Sequence, residues 1–491
     1  MAEGEPAAGL RHFATHRVGS DYVLVDGESG AWLVVDEEAR RALEPLSGEP
    51  CTVAELRRRL GADLAGVLLE SGLALTDENR GQWSGFPRWE DPEQIFVVLH
   101  LTDRCCFSCV YCYADSESRR PGRYMSEDVL NRTVRLLVDS DYRRITLGLH
   151  GGEPMLWLRK NLKVLESALG VLKSAGKRVH MHTQTSGAVL HEDSLRFVKE
   201  HSIAVGVSCD GPPGLNDVYR KRPSGRGTSS QIEAFFDALR LREIPFGAIC
   251  SVGARSVGQA KAIVDYFREQ GIRRVRFNPV WDYPRACAAG AALDAAGYFE
   301  FYLELMDHLR RQNGRDTPPV MSMDLGWMLK NLRSRDRSFM CLRSPCGAGG
   351  NPMLAVDPRG NLFPCEKMIA LPQHRAGNIL DERTLEGVAE LPAMARVRGR
   401  TVQAIAECST CDWRAFCGGG CPADVTAMGR DLLEPDPNCH YYRRIFKTLM
   451  VRLVEDDAFL DRVCPPEIRG RPVGRARDRP SNSGEGVGDA G

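Results

Sequence analysis

FVVLHLTDRCCFSCVYCYAD, residues 96–115, joins an apolar, β-rich run to a loop of cysteines. The run FVVLHLT reads as a buried strand. Cys105, Cys109 and Cys112 follow at once with the spacing C-x3-C-x2-C. In a chain with 17 cysteines among 491 residues, that spacing arises by chance with a probability of about 0.02. Three thiolates so spaced can hold three irons of a [4Fe–4S] cluster, leaving the fourth iron without a protein ligand. An open iron can bind a chelating molecule and pass it an electron. A structural zinc site would need a fourth ligand. Cys106 is the only local candidate, and a residue beside a ligand usually points away.

Similar β-rich runs recur downstream: ITLGLH (145–150), RVHMHTQ (178–184), IAVGVSC (203–209), GAICSV (247–252) and VRFNPV (275–280). Between them lie helix-like stretches such as MSEDVLNRTVRLLVD (125–139) and AKAIVDYFREQG (260–271). Six such repeats predict an α/β fold with a parallel sheet, open or closed into a partial (β/α)6 TIM-like barrel, whose chemistry sits at the C-terminal strand ends. Short polar motifs stand at those ends: HGGEP (150–154), TQTSG (183–187) and SCDGP (208–212).

C-x3-C-x-Y-C after the first strand, followed by these motifs in this order, resembles the radical S-adenosylmethionine (radical SAM) superfamily. The resemblance implies that Cys105, Cys109 and Cys112 bind a [4Fe–4S] cluster. It implies cofactor contacts from Gly151, Gly152, Glu153 and Pro154 in the GGEP motif. Gln184 in the QTNG-like motif and Ser208 and Asp210 in the S-x-DGP motif complete that set. It also implies an electron donor such as flavodoxin or ferredoxin. In the family, reduction of S-adenosylmethionine gives methionine and a 5′-deoxyadenosyl radical, which takes hydrogen from an unactivated carbon. The cofactor carries the hard chemistry, and the protein orients it and excludes water.

Eight more cysteines lie at 341, 346, 365, 408, 411, 417, 421 and 439. Eight thiols suffice for two four-thiolate clusters, although C-x2-C also suits zinc. Residues 341–450 show little regular pattern, and such a loop-rich segment usually needs metal to fold. From Cys346 to Cys439 the spacing resembles the SPASM domain. That implies two auxiliary [4Fe–4S] clusters, one on Cys341, Cys346, Cys365 and Cys421, the other on Cys408, Cys411, Cys417 and Cys439. The expected total is three clusters. Glu366 follows Cys365. In the anaerobic sulfatase maturases, which look alike here, the equivalent residue is Asp and is assigned as base. Glu366 is the candidate base on that resemblance, and a solvent-facing carboxylate on the bland reading.

Near the N-terminus, LRHFATHRV (10–18), DYVLVD (21–26) and AWLVVD (31–36) read as three strands. Three helical stretches follow; Thr52 caps the second, with Glu55 in capping-box position, and Gly72 stops the third. This order over residues 1–78 resembles a PqqD-like domain, implying capture of a leader peptide as an added strand. A generic winged-helix or dimerisation module is the alternative. Residues 79–92 read as a linker, 93–300 as the barrel, 301–340 as a helical bridge and 465–491 as a disordered tail. His100, His150, His180 and His182 read as packed strand residues, with the exception that His150 adjoins the GGEP motif. Of Arg222 and Arg226, one could pair with the cofactor carboxylate, and a solvated loop is the plainer reading. Tyr113 either packs near the cofactor or simply packs.

Lys plus Arg and Asp plus Glu both number 65, so there is no basic excess for nucleic acid or a membrane surface. No apolar run nears the roughly 20 residues of a membrane span, and the N-terminus lacks a signal-peptide core. The expected compartment is the cytoplasm. The favoured function is hydrogen abstraction from a ribosomally made precursor peptide, closing a thioether or carbon–carbon crosslink. The second is a sulfatase-type maturase that oxidises Cys or Ser to formylglycine. The third, from another class, is a metal-stabilised binding scaffold, which has no need of three polar motifs at strand ends.

Overall fold

The computed structural model describes residues 7–87, 91–114, 122–312, 319–337, 339–349, 352–456 and 458–464. Contacts divide them into two units, residues 7–86 with 447–456, and 87–446 with 458–464. The expected tail, 465–491, lies outside the described residues, as do 88–90 of the expected linker.

In the first unit the strands are β1 (Ala7–Leu10), β2 (Ala14–Val18), β3 (Asp21–Val25), β4 (Trp32–Val35), β5 (Pro50–Thr52) and β6 (Ala74–Thr76). The expected meander is β2–β3–β4, antiparallel throughout. The first run does not stay one strand. Between β1 and β2, the Arg11 guanidinium donates to the Gly72 and Trp83 carbonyls and to Asp26. That leaves β1 free to centre a second sheet, β5–β1–β6. Its partners are three residues long, too short to show alternation. The expected helices are Glu37–Leu43, Val53–Leu60 and Ala62–Ser71. Thr52 accepts from the Glu55 N–H, and Gly72 ends the third helix in the left-handed region. The expected linker opens instead with a helix, Asp77–Trp83, started by a Thr76/Asn79 capping box. Trp83 brings that helix into a core with Leu33, Leu56 and Leu68.

The second unit contains β7 (Gln94–His100), β8 (Arg144–His150), β9 (Arg178–Thr185), β10 (Ala204–Ser208), β11 (Phe246–Val252), β12 (Arg274–Pro279), β13 (Met321–Ser322), β14 (Met353–Val356), β15 (Asn361–Phe363) and β16 (Gly377–Asn378). β7 to β13 lie side by side in chain order, each parallel to its neighbours. All six expected strands are among them. The fold is α/β, with one large, mostly parallel sheet. Alternation sorts the faces. Val205, Val207, Ala248, Cys250, Val275 and Phe277 are buried, whereas Gln184, Ser208, Ser251 and Arg276 are half-buried.

The cysteine-rich region is more regular than its sequence suggested. β14 adds to the free edge of β7 in parallel, Met353 opposite Phe96, and β15 and β16 follow antiparallel. At four, three and two residues, these strands are fixed by pairing with that edge rather than by periodicity. The bridge is helical as expected, Ala295–Gln312 and Met323–Arg333, with β13 between.

Candidate active site

The cysteine loop leaves β7 and is stitched down on two sides. Gly152 N–H donates to Thr102 O at 2.7 Å, and Glu153 N–H to Arg104 O at 2.8 Å. Opposite, Ser108 and Val110 N–H donate to Lys221 and Tyr219 carbonyls. The approach at Gly151 and Gly152 demands glycine. Gly151 has φ +134°, and a Cβ on Gly152 would stand 2.2 Å from Arg104 O. Cys105 Sγ accepts the Phe107 N–H at 3.4 Å. Burial pushes the Cys105 thiol well up, and Glu153 and Cys109 push it further. Burial also takes Cys109 up to about 12, against the pull of Arg220.

Two carboxylates expected on the cofactor spend their oxygens on the protein. Glu153 is buried and caps the helix Pro154–Ser174, accepting from Met155 N–H at 3.0 Å. It also accepts from Thr185 Oγ1 and Ser186 N–H, both at 2.8 Å, and from the Ser186 hydroxyl. It therefore ties the end of β8 to the end of β9. Buried Asp210 accepts from Ser251 N–H at 2.8 Å, from Arg220 at 3.0 Å and from the Tyr111 hydroxyl. Gln184 donates to Ser208 Oγ at 2.8 Å, joining β9 to β10.

Arg220 is the buried cation here, not Arg222 or Arg226. Arg222 turns to Gly227 O and Ser230. The Arg220 guanidinium stands 5.5 Å from the centroid of the Tyr111 ring, and its Nε is buried without a hydrogen-bond partner. Its spacing after SCDGP was visible in the sequence, but nothing there distinguished it from its two loop neighbours.

Three strands and the cysteine-rich region meet at Glu366. The β14–β15 hairpin carries the chain through Cys365 into a 3₁₀ turn, Glu366–Met368. Glu366 Oε1 lies 2.6 Å from His150 Nδ1, and His150 Nε2 lies 3.0 Å from His182 Nε2. His182 stacks on Phe96 of β7. Burial alone would raise the Glu366 carboxyl, but His150, His100 and a hydrogen bond from Tyr113 outweigh it and hold it at about 2. Burial, with His150 beside it, lowers His182 to about 3. Two of the histidines read as packing residues thus form a chain ending on the candidate base. That His182 shares a strand face with Gln184 was visible in H-x-Q; its contact with His150 across strands was not.

The other eight thiols fall into two neighbourhoods. Burial takes Cys346 up to about 11, with Cys341 adding; Cys365 is raised by burial, then by Cys346 and Cys341; Cys421 by burial, then Asp424, with Cys365 and Cys346 adding. In the second group burial takes Cys408 up to about 11, with Cys411 and Cys439 adding, and Cys417 up to about 12, with Cys411 and Cys408 adding. Burial raises Cys439, with Asp436 and Cys411 adding. Gly418, Gly419 and Gly420, all with positive φ, turn the chain between Cys417 and Cys421. A Cβ on Gly420 would meet Asp436 Oδ2 at 2.2 Å. Among the described residues, no three His, Cys, Asp or Glu side chains converge as round a single ion. No described helix is long and apolar enough to cross a membrane.

Residues 99–280, from the end of β7 to the end of β12, match the family model for the radical SAM superfamily. The chain carries a radical SAM domain. It is an enzyme. The serine-type anaerobic sulfatase-maturating enzyme of Klebsiella aerogenes is 27% identical over 374 residues, 75% of this chain and 87% of that protein. Among solved structures, native anSMEcpe with bound AdoMet and Cp18Cys peptide superposes with a TM-score of 0.63 at 22% identity, over 74% of this chain and 98% of that one. Streptococcus suis SuiB bound to precursor peptide SuiA gives 0.52 at 14% identity, over 88% of this chain and 99% of that one. At these identities the two structures speak for the fold. The SuiB share is larger than residues 87–491 make up, so that match reaches into the first unit.

A radical SAM domain implies S-adenosylmethionine and one [4Fe–4S] cluster, and the residues fit both. With Cys105 and Cys109 raised by burial, iron is the kind of charge that would hold them as thiolates. Arg220 Nε, buried and unpartnered, fits the carboxylate of an amino-acid cofactor.

Proposed function

We propose that this radical SAM enzyme modifies a residue of a ribosomally made precursor peptide, closing a thioether or carbon–carbon crosslink. The observation that carries this reading is the separate first unit, with its own core and a meander whose edge strand β2 pairs, among the described residues, on one side only. A leader peptide would add there as a further strand. The likeness to SuiB, which was solved with its precursor peptide, supports it.

Cys105, Cys109 and Cys112 would hold the [4Fe–4S] cluster. When bound, the cluster and S-adenosylmethionine supply a carbon-centred radical able to take hydrogen from an unactivated C–H bond. Gly151 to Pro154, Gln184, Ser208 and Arg220 would orient the cofactor. Asp210 would set Arg220 from behind, and Glu153 would hold the loop ends together. Glu366, kept ionised by His150 and Tyr113, would accept the proton that leaves the substrate as the new bond closes. The two groups of four thiols would hold auxiliary clusters able to accept the one electron left over when the new bond closes with loss of that proton, and a small electron donor such as flavodoxin or ferredoxin would supply reducing electrons.

The Klebsiella relative and the carboxylate after Cys365 favour a second reading, oxidation of Cys or Ser to formylglycine. One experiment separates the two. The reconstituted protein is incubated with each short peptide found encoded near its gene and, separately, with a synthetic sulfatase-derived peptide. The first reading expects a crosslinked product that stays branched after proteolysis. A hydrazide-reactive aldehyde on the sulfatase peptide, with no change to the other, would overturn it in favour of the second.

A further inference from the structure

Arg276 stands on β12 between buried Val275 and Phe277, so it faces the opposite side of the sheet. On β11 its register partner is Ile249. Two residues on, on that same face, Ser251 Oγ receives Arg220 Nη2 at 3.4 Å. Arg276 is therefore on the site's face. The guanidinium lies 5.3 Å from the centroid of the Trp327 ring and 5.9 Å from that of Phe339. Those rings stack 4.0 Å apart and within 7° of parallel, a flat platform that suits a planar cation. Asp324 braces the rear, with Oδ1 3.4 Å from Arg276 Nε while its Oδ2 accepts Phe277 N–H at 2.6 Å. Among the described residues neither Nη has a hydrogen-bond acceptor. The Arg276 side chain stays 36% exposed, against 16% for Asp324.

Rooted in a central strand, held on a platform and braced at Nε, this arginine keeps its two-pronged edge open. That edge is the part of a guanidinium that matches a carboxylate. Its neighbours place it in the reaction space. Its charge helps to lower His182, and Glu366 and Cys341 are among the groups acting on it.

We infer that Arg276, seated on Trp327 and Phe339, binds a substrate carboxylate and so selects peptides with an acidic group near the residue to be modified. The carboxylate is an Asp or Glu side chain or the peptide's own C-terminus. The inference rests on the peptide-modifying reading.

The test uses the full-length reconstituted protein with S-adenosylmethionine and four synthetic peptides: Ac-GACDAG-NH2, Ac-GACNAG-NH2, Ac-GACNAG-OH and Ac-GACKAG-NH2. Affinities are measured by calorimetry on wild type, Arg276→Gln and Arg276→Lys. Wild type is expected to bind an acidic peptide about tenfold or more tightly than the neutral one. Preference for the first peptide identifies a side-chain carboxylate, and preference for the third a terminal one. Arg276→Gln loses the preference, and Arg276→Lys keeps part of it. Equal binding of all four, none at all included, or a preference that survives in Arg276→Gln overturns the inference. Circular dichroism and iron content show that the variants fold. The crosslinking assay on the precursor peptide described above tests the parent reading separately. If wild type forms the crosslink and shows no acid preference, the carboxylate site alone fails.

Discussion

Glu366 owes its charge to partners from distant parts of the chain: His150 on β8, His100 on β7 and Tyr113 beyond Cys112. Glu366→Gln keeps the shape and removes the proton acceptor. Product formation should fall by about 10²-fold or more, while 5′-deoxyadenosine still forms. An equal fall in both would mean that the residue acts on the cofactor instead. His182 allows a test of the same cluster through stability. Its folded pKa of about 3 lies below the ordinary histidine value. The unfolded chain therefore takes up a proton that the folded chain refuses, and stability is lost as pH falls from about 6.5 toward 3. Denaturant unfolding should show wild type losing about 1.4 kcal/mol more per pH unit in that window than His182→Gln. Parallel curves would remove His182 from the buried chain. The sequence pointed to Glu366 through resemblance and to His150 through its place beside GGEP. It could not show that His182 reaches across to His150, or that Arg220 is the arginine turned inward, because both depend on contacts between elements.

The motif loops work as braces between strand ends. The GGEP loop and the cysteine loop are joined by backbone hydrogen bonds that need the absence of a Cβ at Gly152. Gly152→Ala should cost about 1–3 kcal/mol and shift the iron count toward that of a chain lacking the first cluster. Gly170→Ala is the control. It sits exposed on the helix Pro154–Ser174 with open space around it, and there alanine should stabilise by about 0.5–1 kcal/mol. Iron analysis and thermal unfolding of the pair decide the point. Unchanged iron and stability in Gly152→Ala would show that the loops are not coupled in this way. The six long strands were legible because each alternates or runs apolar for five residues or more. β13 to β16 were not, since two to four residues carry no period and the edge of β7 supplies their order. The helix Asp77–Trp83 was missed for a related reason. Its polar run looks like a linker until Trp83 is seen to close the first unit's core.

The molecule combines a small two-sheet unit with an α/β unit in which eleven cysteines lie in three neighbourhoods. Their spacing showed that eight of the thiols could serve two clusters, but which four belong together was implied only by the SPASM resemblance. What binds the first unit left no comparable mark, since strand addition uses backbone rather than side chains. The most direct measurement is anaerobic reconstitution of wild type and of the Cys105→Ala/Cys109→Ala/Cys112→Ala variant. Iron, sulfide and zinc are then counted, and 5′-deoxyadenosine is assayed after addition of reductant and S-adenosylmethionine. The account predicts about twelve irons in wild type, about eight in the variant, and nucleoside from wild type alone. Zinc in place of iron, or no nucleoside from fully loaded wild type, would contradict it.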